Sequence, residues 1–164
     1  MSVAIKQIID YLERLKQLHE SLLTLSKNKT EALKTNDIEE LRACLNQERK
    51  HVSAIEMLEK KRIEAVNVWA AGEPGFEGKN PAVSDIIEWV DWSERKQLEC
   101  VYESFILVLA ELKQQEVLNG DLTRQSLQFV NMSLDLLQPT IENVNYGGTS
   151  QSSGPKRSVF DSQA

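Results

Sequence analysis

The chain has 164 residues, a formal charge of −6 and a hydrophobic fraction of 41%, mostly Leu, Ile and Val at helical spacing. That length suits one domain with a core of moderate size. The acidic balance argues against nucleic acid as a partner, because a phosphate backbone calls for a clustered positive footprint. Cys44 and Cys100 are isolated thiols, which excludes a disulfide scaffold or a cysteine metal cluster.

The opening run MSVAIKQIIDYLERL holds an acid and a base among its apolar residues and lacks a small-residue cleavage pattern. No stretch reaches the roughly 18 uninterrupted apolar residues of a membrane span. A cytoplasmic, soluble protein is the expectation. Charge is unevenly placed: residues 1–71 carry a net +1 and residues 72–143 a net −8. The acidic half either favours basic partners or keeps the protein in solution.

The first helix is predicted over 3–34, with Ile5, Ile8, Leu12, Leu15, Leu18, Leu22 and Leu25 spaced as one packed face. A break follows at Thr35 and Asn36. Asn36 is the predicted N-cap of the next helix, with Glu39 at the reciprocal position of a capping box. That helix, over 37–71, carries Ile38, Leu41, Leu45, Val52, Ile55, Leu58, Val66 and Trp69, and Glu48 interrupts its stripe. So short a connection predicts an antiparallel hairpin.

The segment GEPGFEGKNP reads as a loop, with Phe76 pinned onto the helix ends. Ser84 is the candidate cap of a short helix over 83–91, whose buried side is Ile86, Ile87, Trp89 and Val90. A long helix is then predicted over 93–142, with Leu98, Tyr102, Phe105, Leu109 and Leu112 as its stripe. Asn119, Gly120 and Asp121 locally spell a turn, since glycine costs about 1 kcal/mol inside a helix. Apolar spacing resumes at Leu122, which favours one continuous helix, and Pro139 predicts a kink or fraying near its end. From Asn145 the Gly- and Ser-rich segment lacks apolar periodicity and reads as a tail.

Chemistry finds little support. Glu48-Arg49-Lys50-His51 supplies the Glu-x-x-His signature of a diiron bundle once, and His19 has no glutamate three residues before it. The glycines of 72–78 lack a following Lys-Ser/Thr and a preceding strand, so they form no phosphate loop. Neither cysteine has a nucleophile context. No enzyme, metal or cofactor is expected.

Three tryptophans, Trp69, Trp89 and Trp92, fall near the central loop. They form either a satellite core or an aromatic patch for a partner. The apolar positions Leu122, Leu127, Phe129, Val130, Leu134, Leu137 and Ile141 sit among Gln125, Gln128, Asn131 and Ser133. Such a stripe on an uncharged polar helix is either core or a surface for another helix, and Met132 suits one that adapts. In the tail, Tyr146, Val159 and Phe160 are the residues with enough apolar area to anchor it.

Several segments taken in order resemble the FlgN family of flagellar export chaperones. They are the opening hairpin, Lys34-Thr35-Asn36-Asp37, LEKKR at Leu58–Arg62, Asn119-Gly120-Asp121-Leu122 with Gln125-Ser126-Leu127, and Tyr146-Gly147. The GEPGFEGKNPAVSDIIEW insertion is less characteristic. The resemblance implies a cytoplasmic chaperone for the hook-filament junction proteins FlgK and FlgL. It would cover their C-terminal amphipathic segments through Leu122–Ile141 and contact the export-gate protein FlhA through its C-terminal region. The competing expectation is a coiled-coil adaptor or structural homodimer.

The expected fold is therefore all-α. It is an elongated antiparallel bundle of three long helices and one short one, forming a single domain over 1–143 with a flexible tail over 144–164.

Overall fold

The computed structural model describes residues 2–145, and side chains as far as residue 137. All regular structure among the described residues is α-helical: α1 (Val3–Thr35), α2 (Ile38–Gly72), α3 (Val83–Trp89) and α4 (Trp92–Asn145). Predicted helix bounds fall within a few residues of these. The short helix stops at Trp89 rather than 91, and Pro139 does not end α4. The chain divides after Arg124 into two units.

In the first unit, α1 starts where the Ser2 hydroxyl accepts the Ile5 N–H at 3.1 Å, while the Ser2 N–H donates to Glu94 Oε1 at 2.6 Å. Its end corrects the expectation for Asn36. That residue is the C-cap of α1, in the left-handed conformation at φ 55°, where asparagine is better tolerated than most residues. The Asp37 N–H closes back onto the Ala32 carbonyl at 2.9 Å. Asp37, not Asn36, caps α2 by accepting the Glu40 N–H at 3.1 Å. Two adjacent residues thus end one helix and begin the next, and the chain reverses at once.

Cross-helix contacts fix directions. Ser2, the N-cap of α1, and residues 26 and 30 within it pair with 94, 116 and 119 of α4, so this part of α4 runs parallel to α1. Residues 21 and 29 pair with 51 and 48 of α2, so α2 runs antiparallel to α1. The loop and α3 make the crossover. The core lies near the start of α1: Ile5, Ile8 and Leu12 meet Ala65, Val66 and Trp69 of α2, Ile86 and Ile87 of α3, and Leu98 of α4.

Phe76 pins the loop as expected, with its ring 5.3 Å from Trp69 and 5.1 Å from Trp89. Trp69 belongs to the main core, whereas Trp89 and Trp92 are exposed, so the three do not form one satellite cluster. The expected Ser84 cap is also corrected. The N-cap of α3 is Ala82, two residues before Ser84, and the Asp85 carboxylate accepts the Ala82 N–H at 2.8 Å. Arg95 closes the other end by donating to the Ile87 and Glu88 carbonyls at 2.7 and 2.6 Å, a cation on the orphan carbonyls of a helix C-terminus.

The inward face of α2 differs most from its apolar spacing. Ile38, Leu45 and Val52 are 63%, 41% and 46% exposed, and the buried or half-buried line runs instead through Cys44, Glu48 and His51. Polar partners on α1 explain the rotation. Lys29 Nζ lies 2.8 Å from Glu48 Oε1, and Ser21 Oγ lies 2.8 Å from His51 Nε2. On α1 the buried line similarly passes through Leu23, Ser26 and Thr30, leaving Leu22 and Leu25 half-buried.

Candidate functional site

Two i, i+4 pairs face each other where α1 meets α4: Ser26 and Thr30 against Gln115 and Asn119. Asn119, 3% exposed, donates through Nδ2 to the Ser26 carbonyl at 2.9 Å and the Ser26 hydroxyl at 3.0 Å. The Thr30 hydroxyl proton is shared between Asn119 Oδ1 at 2.5 Å and the Ser26 carbonyl at 3.0 Å, and Gln115 Nε2 donates to the same hydroxyl. Ser26 Oγ donates its proton to Glu116 Oε1 at 2.7 Å. Lys29 then joins Glu116 on α4 to Glu48 on α2, at 3.1 and 2.8 Å.

The Glu48 contact is an ion pair rather than an aligned hydrogen bond, since Oε1 is buried with no well-directed donor. Burial works against the Lys29 charge, but Glu48 and Glu116 together hold its pKa above the ordinary lysine value. Nothing in the apolar spacing points to this network. The Asn119-Gly120-Asp121 sequence reads locally as a turn because its partners lie about ninety residues upstream. Anchoring Asn119 keeps α4 helical through Gly120, where a Cβ would meet nothing within 4 Å. No packing contact explains the glycine.

A polar network of this kind positions a helix; it does not perform chemistry. The Glu-x-x-His residues are likewise accounted for by their Lys29 and Ser21 partners, and His51 Nδ1 lies 2.9 Å from the Gln47 carbonyl. Among the described residues no group of three His, Cys, Asp or Glu is placed to hold a metal ion. Cys44 is buried, and burial with the neighbouring Glu40 raises its pKa, which makes it a poor nucleophile. An open groove of about 460 Å³ is lined by Leu12, Leu15, His19, Ile55, Phe105 and Leu109. Its carboxylate, Glu59, is engaged by Arg62, whose hydrogen bonds hold its pKa below the ordinary value. No helix among the described residues is long and apolar enough to cross a membrane.

The second unit presents the other predicted surface. Leu127, Phe129, Val130 and Leu137 are 58%, 71%, 50% and 56% exposed, as are Met132 and Leu136 at 65% and 80%. Leu134 is half-buried, and Leu122, just before the unit boundary, is half-buried too. From Gln125 to Leu134 no side chain is charged. Ser133 turns its hydroxyl onto the Phe129 carbonyl at 2.9 Å, which removes one more polar group from competition with a partner. The Ile141 side chain, Tyr146 and Phe160 lie outside the described residues. Six exposed large apolar side chains within eleven residues make a surface of the kind that marks interaction sites.

The chain matches the family described as FlgN protein over residues 1–154. It is 41% identical over 162 residues to the uncharacterized protein YvyG of Bacillus subtilis (strain 168), an alignment covering 97% of this chain and 98% of that protein. No solved structure matches it.

Proposed function

We propose that this chain, which belongs to the FlgN family of non-catalytic chaperones, serves the flagellar junction proteins FlgK and FlgL in the cytoplasm. It covers their C-terminal amphipathic segments before assembly and delivers them to the flagellar type III export apparatus, with FlhA as the gate contact. The observation that carries this reading is the charge-free run Gln125–Leu134, in which Leu127, Phe129, Val130 and Met132 are exposed and Leu134 half-buried. An exported amphipathic helix must be kept from self-association. Burying its apolar face on a helix does so, and the absence of ion pairs leaves the complex able to release. The cargo surface is Leu122, Leu127, Phe129, Val130, Leu134, Leu137 and Ile141, centred on Leu127, Val130 and Leu134.

Replacing Val130 and Leu134 with serine should weaken binding of the junction-protein C-terminal segments at least tenfold, while far-ultraviolet circular dichroism stays unchanged. An unaltered calorimetric affinity would remove the assignment. A second reading, an adaptor that pairs with its own copy, draws on Ile38, Leu45 and Val52, exposed at seven-residue spacing as in a coiled-coil seam. Sedimentation separates the two: a tight dimer without cargo would favour the adaptor.

A further inference from the structure

The exposed apolar residues of the second unit do not lie on one line. An α-helix advances about 100° per residue. Leu127, Val130, Leu134 and Leu137 therefore fall within an arc of about 80°, and Phe129, Met132 and Leu136 within a second arc of about 60°. The two lines are centred roughly 150° apart. Ser126 and Ser133 project between them, and Asn131, Asp135 and Gln128 occupy the remaining side. A helix that docks through one face shows an apolar stripe little more than about 100° wide. Here the apolar arc spans about 220°, more than one partner helix can cover.

Area points the same way. Burial of a large apolar side chain removes roughly 100 Å² from water. The four side chains of the first line then offer at most about 400 Å² and the seven of both lines about 700 Å², against about 800 Å² per side in a stable complex. One line is too small to hold a chain, whereas both together approach what is needed. The second line is also the more exposed, with Phe129, Met132 and Leu136 at 71%, 65% and 80%.

We infer that the Gln125–Leu137 helix receives two amphipathic helices of one partner chain, one along each apolar line, as a helical hairpin clasping it. This rests on the export-chaperone reading and specifies what its cargo must present. Each partner helix carries an apolar stripe flanked by uncharged polar residues, because the receiving segment offers no charge from Gln125 to Leu134. A second copy of this chain fits less well. Pairing one such helix with its own copy buries a single line on each and leaves the other in water.

Met132 supplies a direct readout on the second line, because an exposed thioether oxidises readily to the sulfoxide. Met57 on α2, 62% exposed, is the internal control. Full-length protein is treated with hydrogen peroxide alone and with monomeric full-length FlgL, and sulfoxide is quantified at each methionine. The inference expects FlgL to slow oxidation of Met132 at least fivefold and leave Met57 unchanged. It also expects Phe129→Ser with Leu136→Ser to weaken FlgL binding at least tenfold, as Val130→Ser with Leu134→Ser does. Circular dichroism checks that each variant remains helical.

If FlgL binds and only the Val130/Leu134 pair matters, with Met132 oxidising freely, the clasp is overturned and the chaperone reading stands. If FlgL binds and neither pair matters, both the clasp and the assigned cargo surface fall. If FlgL does not bind the wild type, the export reading falls and takes this partner with it. A homodimer that both substitution pairs dissolve would overturn the inference in favour of a second copy.

Discussion

Asn119→Ala should uncouple α4 from α1 at a cost that can be worked from its contacts. The amide makes three hydrogen bonds, two from Nδ2 to the Ser26 carbonyl and hydroxyl and one from the Thr30 hydroxyl to Oδ1. Each contributes about 1 kcal/mol net. The orphaning penalty is small, because Ser26 keeps Glu116 and Thr30 keeps Gln115 and the Ser26 carbonyl. Alanine returns up to about 0.7 kcal/mol of helix propensity. The expected loss is about 2 kcal/mol. At a urea slope near 2 kcal/mol/M it lowers the midpoint by about 1 M, read by circular dichroism at an unchanged slope.

Asn119→Asp tests the geometry separately. At neutral pH a carboxylate there faces the Ser26 carbonyl, lacks the Nδ2 donor and adds charge beside Glu116. Its folded pKa is therefore raised above the unfolded value. The deficit relative to wild type should shrink as the pH falls through that folded pKa, when the protonated acid can donate again. A loss below about 0.5 kcal/mol for Asn119→Ala, or an aspartate deficit that does not change with pH, would refute the claim that this network sets the register of α4.

The remaining expectations test neighbouring features. Lys29→Met leaves Glu48 and Glu116 without their shared cation and should cost about 3 kcal/mol at pH 7, with part of the loss recovered on acidification. In the wild type the Lys29 pKa is raised, so its contribution is complete below the unfolded lysine pKa and lost only as pH rises through the higher folded value; alkaline melts of wild type and variant should converge. Gly120→Ala meets open space on a helix and should stabilise by about 0.5–1 kcal/mol, measured as a raised urea midpoint. Leu45→Ser and Val52→Ser remove side chains that are 41% and 46% exposed and should each cost about 1 kcal/mol, whereas a fully packed apolar stripe on α2 would lose several times that in the same urea titration.

Much of the arrangement is legible in local patterns. Apolar residues at three- and four-residue spacing mark four helices, and the glycines and prolines of 72–81 mark the loop between α2 and α3. The exposed run after Gln125 is visible as apolar residues among glutamines and serines. Two features mislead. By its position Asn36 reads as a cap for α2, although its left-handed backbone ends α1. Glu48 reads as an interruption in a stripe, although it faces inward. A helical wheel scores a glutamate by its own polarity and carries no record of a lysine nineteen residues upstream.

Local sequence, then, determined where the helices begin and end to within a few residues and which stretches carry apolar faces, because propensity, capping and periodicity act over one or two turns. Only the tertiary structure decided which of those faces is covered. Leu45 and Val52 are left partly in water while Ser26, Thr30, Glu48 and Asn119 turn inward, since a buried polar group is tolerated only where hydrogen-bond or ion-pair partners meet it. Those partners come from helices far apart in sequence, and their meeting is a property of the packed chain, not of any window within it.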